Sequence, residues 1–171
     1  MKKAAMSNVD EWFVRGTALV AVFFFALGWP WRSPRAVGDS WGRVYWLMGW
    51  AICFGHVLLA FHLAHQWSHD RAVEATAKQT ADLVGFPFGG GVWINYGFLA
   101  IWGGDAAWRW RVPSRYWMRS ARCHWAIIGF LAFIVFNATI VFGGWPGRIV
   151  GVAAVVIVLV RKRLLHSERG G

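Results

Sequence analysis

Charge is scarce in this chain: 15% of its 171 residues are Asp, Glu, Lys or Arg, and only 8 of those are acidic. Soluble domains carry roughly a quarter charged residues, so this share is too small to clothe a water-soluble fold. Cysteine is scarce too. Cys53 falls inside one apolar run and Cys123 at the start of another, at different depths, which predicts no disulfide between them and excludes a disulfide-built scaffold. There is no Walker A loop and no Gly-x-Ser-x-Gly elbow, and Gly89-Gly90-Gly91 reads as a turn between helices rather than a phosphate cradle. Ser68 and Thr76 are hydroxyls within reach of the histidines at 62, 65 and 69, and they make a weak case for a nucleophile. The formal charge of +10 comes without a soluble basic module, so nucleic acid is not expected as a partner.

What the chain has in quantity is apolar surface. Hydrophobic residues make up 57% and the mean hydropathy is +0.41. They come in blocks at about 12–29, 41–65, 92–107, 124–142 and 145–160. Such runs need apolar cover on every side, which a domain this small cannot provide and a lipid bilayer can. The sequence therefore predicts an all-α integral membrane helical bundle, a single domain of about five transmembrane helices with the bilayer as partner. Many of the 14 tryptophans, Trp12, Trp29, Trp41, Trp67, Trp108 and Trp145 among them, lie near the ends of these runs, where amphipathic rings suit the headgroup region. The first run has the look of a signal-peptide core, but Asp10 and Glu11 separate it from Lys2 and Lys3 and no small-x-small site follows, so an uncleaved helix is expected. The fifth run is short for a span, which leaves a re-entrant hairpin open.

Between the second and third runs, residues 66–91 are polar. Val73, Ala77, Thr80, Ala81 and Val84 recur at helical spacing and Glu74 pairs with Lys78 at i,i+4, predicting an amphipathic helix that continues the second span until Gly85, Pro87 and Gly89 break it. Five crossings put Lys2, Lys3, Arg15, Arg71, Lys78 and Arg148 on one side. The other 12 of the 18 basic residues, Arg32, Arg35, Arg43, Arg109 to Arg122 and Arg161 to Arg169 among them, fall opposite. The richer side is expected to be cytoplasmic, which places the N-terminus and residues 66–91 outside an inner membrane and the C-terminus inside. The arginines from Arg109 to Arg122 are expected among anionic headgroups, and Asp105 is expected to pair with Arg109 one turn on.

The chemistry-bearing residues cluster after the second run. On one continuous helix His62, His65 and His69 would form a stripe about 60° wide, with Asp70 and Glu74 beyond them. These ligand types suit zinc, copper or iron, and His65 with His69 at i,i+4 has the better chelating spacing. His56 falls roughly 120° off the stripe. Asn95 and Asn137 come at a depth similar to His62, and intramembrane polar groups face the bundle interior, so the three are expected in a polar pocket opening outward. A haem held by two histidines is disfavoured, because His124 lies near the opposite end of its span from the stripe. His124 itself is expected at the interface, solvated or facing headgroups.

The stretch from His62 to Asp105, with His65-Gln66-Trp67-Ser68-His69-Asp70, Glu74-Ala75-Thr76-Ala77, Asn95-Tyr96 and Trp102-Gly103-Gly104-Asp105, resembles a family of uncharacterised bacterial multi-pass membrane proteins. The resemblance covers about a quarter of the chain and implies a bacterial membrane location but no activity. The paired histidine boxes of membrane desaturases are not matched, since no second box is present. Three readings follow: a membrane protein binding a metal ion at its outer face, an accessory subunit of a larger membrane complex, and a haem-dependent electron carrier.

Overall fold

In a computed structural model, which describes residues 7–32 and 38–166, the chain is helical throughout and no strand occurs among the described residues. Lys2, Lys3, Arg35 and Arg169, used above to weigh the two sides, lie outside the described residues. The helices are α1 (Asn8–Gly28), α2 (Ser40–Leu63), α3 (His69–Val84), α4 (Gly91–Arg111), α5 (Pro113–Met118), α6 (Ala121–Phe136) and α7 (Trp145–His166), with a π-helical turn at Asn137–Val141 extending α6.

Local sequence sets most of the boundaries. Ser7 and Asp10 form a reciprocal capping box that starts α1, and the helix ends at Gly28, two residues before Pro30, whose ring disfavours a helical conformation at Trp29. Asp39 caps α2 by accepting from the Gly42 amide at 2.8 Å. The end of α2 departs from expectation. Instead of continuing into α3 the chain turns, with Gln66 and Trp67 at φ of 50° and 59°. The Trp67 amide donates back to Phe61 O at 2.8 Å, and Ser68 begins a new helix by accepting from the Arg71 amide. Neither Gly nor Pro marks the break. A serine N-cap followed by Asp70 in the first turn outcompetes continuation, even though two non-glycine residues enter the left-handed region at roughly 1–2 kcal/mol each. The amphipathic extension is therefore a separate helix.

The five long helices alternate in direction. At one end the last turn of α1, the start of α2, the end of α4, the start of α6 and the late turns of α7 meet: Arg109 reaches Gly28 O and Gly42 O, Arg161 reaches Asp39, and Trp31 packs on Trp125. Because Arg161 arrives at this end, α7 runs the length of the bundle and does not turn back as a re-entrant hairpin would. α1, α2 and the α6–π segment Ala121–Val141 are long and apolar enough to cross a membrane. Apolar run length alone predicts five such spans. α4 and α7 differ because polar and basic residues such as Asn95, Asp105, Arg109 and Arg161 lie within the helices themselves.

The packed centre is aromatic. Phe25 of α1, Trp46 of α2 and Trp102 of α4 stand with ring centroids 5.0 to 5.4 Å apart, closed by Ile128 and Leu131 of α6. Gly28 allows this approach: a Cβ there would lie 2.5 Å from the Trp46 backbone nitrogen. Between helices in lipid such close contact supplies the attraction that apolarity alone does not, because lipid tails are as apolar as the core. Each aromatic pair adds about 0.5–1.5 kcal/mol beyond its buried area.

Candidate functional site

The helix break disperses the histidine stripe. His62 is exposed and accepts on Nδ1 from the Trp67 indole at 3.1 Å. His65 packs edge-on against the Phe61 ring. His69, at the start of α3, bonds the Tyr96 hydroxyl of α4 through Nδ1 at 3.1 Å and packs on Trp93. Asp70 and Glu74 are exposed on α3. Among the described residues no three His, Cys, Asp or Glu side chains gather as a metal ion would need. The i, i+3, i+7 relation assumed a continuous helix, and the left-handed pair Gln66 and Trp67 rotates His69 away from the line of His62.

The two asparagines fare differently. Asn95 of α4 and Asn137, first residue of the π-turn, line one cavity of about 460 Å³ at the α3 end of the bundle. His56 lines it with them, and His62 does not. His56, set apart in sequence because it falls off the stripe, is turned toward α1 and is hydrogen-bonded through Nδ1 to Thr17 Oγ1 at 3.2 Å. The fourth wall is α3, which contributes Thr76, Gln79 and Thr80, while Phe88, Phe133 and Phe142 supply the apolar lining. The loop at Gly89 holds α3 over the opening, since a Cβ there would lie 2.6 Å from Val73 Cγ1. Thr80 Oγ1 is occupied by Thr76 O at 2.9 Å, and Asn137 Nδ2 donates to Phe133 O at 2.8 Å. The Asn95 and Gln79 amides make no hydrogen bond to the protein among the described residues. π-helical turns such as the one carrying Asn137 recur where a helix must present a group out of register.

A second, smaller pocket of about 190 Å³ continues inward from the first, sharing His56, Asn95, Ile134 and Ala138 as common wall. It ends against Cys53, Phe25, Phe98 and Trp102. No Asp, Glu, Lys or Arg lines either chamber. Comparison with protein-family models, with curated proteins and with solved structures finds no match.

Behind the aromatic centre lies a buried polar network. Asp105 of α4 accepts from Arg119 at 2.5 Å, from the Trp46 indole at 2.9 Å and from the Tyr116 hydroxyl at 3.0 Å. Arg119 also donates through Nε to His124 Nδ1 at 3.1 Å and stacks its guanidinium 4.0 Å from the Tyr116 ring centroid. Burial, with the Asp105 carboxylate beside it, pushes the Tyr116 phenol well above its ordinary value, so it stays protonated and donating. Three expectations are corrected here. Asp105 pairs with Arg119 and not with Arg109, which instead caps the carbonyls of Gly28 and Gly42. His124 is fully buried, not at the interface. Arg109 and Arg119 are buried too, so only Arg111, Arg115 and Arg122 of that segment are exposed. The short helix α5 causes this: Pro113 at its start turns the chain back, folding Tyr116 and Arg119 onto Asp105.

Every oxygen of Asp105 is thus committed within the protein, and the network ties α2, α4, α5 and α6 together. Its arrangement serves structure. The polar groups that line the cavity, by contrast, are the amides of Asn95, Asn137 and Gln79 and the imidazole of His56, all without a fixed charge. That set can hold an uncharged molecule by hydrogen bonds but has no metal ligand set and no counter-charge for an ion.

Proposed function

We propose that this chain is a five-span membrane protein that receives a small, uncharged, partly apolar ligand through the cavity beneath α3. The observation that carries this reading is the convergence of Asn95, Asn137 and His56, from three different helices, on one open space lined otherwise by aromatic and aliphatic side chains. Pockets for small molecules combine an apolar wall with a few placed polar groups in this way, and about 300–1,000 Å³ is their usual range. Polar groups inside the thickness of a membrane are costly unless something satisfies them, so the Asn95 amide, exposed to the cavity and without a protein partner, favours a ligand role.

Five crossings are supported by the alternating course of α1, α2, α4, α6 and α7. α7 has 22 residues, about 33 Å at 1.5 Å per residue, enough to cross hydrocarbon despite its basic end. The excess of basic residues at the Asp105 end supports a cytoplasmic position for that end, so the cavity opens outward.

Thiol labelling tests openness and sidedness together. In a background with both native cysteines replaced by serine, Asn95→Cys is expected to react with a membrane-impermeant maleimide added outside intact cells. Reaction only after the cytoplasmic face is opened, or none in either condition, would overturn the reading.

A further inference from the structure

Two chambers of different chemistry meet end to end. The outer one carries the amides of Asn95, Asn137 and Gln79 and the hydroxyls of Thr76 and Thr80. The inner one shares His56 and Asn95 with it, and the rest of its wall is aliphatic and aromatic apart from Cys53. Five residues line both: Ala18 of α1, His56 of α2, Asn95 of α4, Ile134 of α6 and Ala138 of the π-turn. A partition made by one helix would be shared through that helix alone. Residues contributed from every side ring a neck instead, and the two alanines narrow it least.

The outer chamber also opens sideways. Ile94 of α4 and Phe133 of α6 line it and are at the same time 43% and 63% exposed, so they stand at its rim. Phe133 comes eight residues before Val141, the end of the apolar span Ala121–Val141, which is about 12 Å at 1.5 Å per residue. That depth falls inside a hydrocarbon layer about 30 Å thick. A rim of Ile and Phe at hydrocarbon depth admits what is dissolved in lipid. Neither chamber is lined by Asp, Glu, Lys or Arg, so an ionised group inside would be desolvated without a counter-charge.

Resting on the cavity reading above, we infer that the two chambers together hold one uncharged, single-chain amphiphile taken from the bilayer, its chain end in the inner chamber and its polar head among Asn95, Asn137 and Gln79. Amides both donate and accept, so a hydroxyl, ester or amide head suits them. An apolar cavity of about 150 Å³ takes a benzene molecule, so the inner chamber of about 190 Å³ has room for about six carbons of chain. Binding is reversible and forms no covalent bond.

The test uses 1-decanol carrying a photoreactive diazirine beside its last carbon, and the sulfate ester of the same chain, which is always ionised. Each is irradiated with the full chain in lipid nanodiscs, and the labelled residues are mapped by mass spectrometry. The alcohol is expected to label Phe25, Cys53, Phe98 or Leu99 of the inner chamber, and excess unlabelled 1-decanol should cut that labelling about tenfold while leaving the exposed Phe23 and Val155 labelled as before. The sulfate should label the inner residues about tenfold less than the alcohol. Cys53→Phe and Val22→Phe, which fill the inner chamber from α2 and from α1, should each abolish inner labelling only. Mapping of the native protein decides the matter even where neither variant folds. Labels confined to Phe23 and Val155, inner labels that unlabelled decanol does not displace, chain-end labels on Thr76 and Gln79 in their place, or equal labelling by the sulfate overturn the inference. With any of these, Asn95→Cys that still reacts from outside leaves the cavity reading standing, whereas loss of that reaction overturns the cavity reading itself.

Discussion

At the scale of single residues, the charge that matters most is Asp105. It is buried with its partner Arg119 at 2.5 Å, and Trp46 and Tyr116 complete its hydrogen bonding. Removing one member of such a pair leaves the other charge buried and unpaired, which costs about 3–5 kcal/mol, whereas replacing both with apolar groups can be neutral. Asp105→Asn is therefore expected to lower stability by about that much, and Asp105→Leu with Arg119→Leu to lose less than Asp105→Asn alone. Unfolding in nanodiscs, followed by tryptophan fluorescence, measures both; a double variant no better than the single would show that the network is not a coupled unit. The Asp105–Arg119 pairing was not legible in sequence. Arg109 is the nearer cation along the helix and local pairing is the simplest expectation, but α5 folds a more distant arginine into contact.

At the scale of elements, the apolar runs coincide with helices: 12–29 with Asn8–Gly28, 41–65 with Ser40–Leu63 and 145–160 with Trp145–His166. Hydropathy finds where apolar helix lies, but it ends the third and fifth runs just short of Arg109 and Arg161. α4 and α7 continue past that point because Arg109 and Arg161 find partners inside the bundle. The break between α2 and α3 was missed for a different reason. It carries no Gly or Pro, and its only sign is Ser68 with Asp70 two residues on, an N-cap in the middle of a helical pattern. Ser68→Ala is expected to weaken the start of α3 by about 1 kcal/mol. Hydrogen exchange of the amides from Arg71 to Glu74 should then quicken roughly fivefold, a factor that corresponds to that energy; unchanged exchange would mean that packing on α4, and not the cap, holds α3 in place. That break is also what separates His69 from His62 and empties the stripe of its metal-binding geometry.

At the scale of the whole molecule, the arrangement is asymmetric from end to end. One end is tied by buried ion pairs and an aromatic centre, the other opens into a cavity whose polar groups are uncharged. An alternating five-helix course with more basic residues at the tied end predicts which compartment each end faces. Single cysteines placed at Asp70 and at Arg115 are expected to label from opposite sides of the membrane, Asp70→Cys from outside and Arg115→Cys from the cytoplasm. Labelling of both from one side would contradict the five-span course.

The sequence by itself determined that these segments are helices and that hydrocarbon suits them, because apolar run length, capping residues and charge placement act over a few neighbouring residues. It also placed Asn95 and Asn137 at a similar depth, since depth along a helix can be counted. Only the tertiary structure decided that His56 and not His62 lines the cavity with them, and that Asp105 belongs to Arg119. Those outcomes depend on how each helix is rotated about its own axis and where a turn sends the next one. Rotation is set by contacts between distant residues such as Gly28 with Trp46, which no local pattern records.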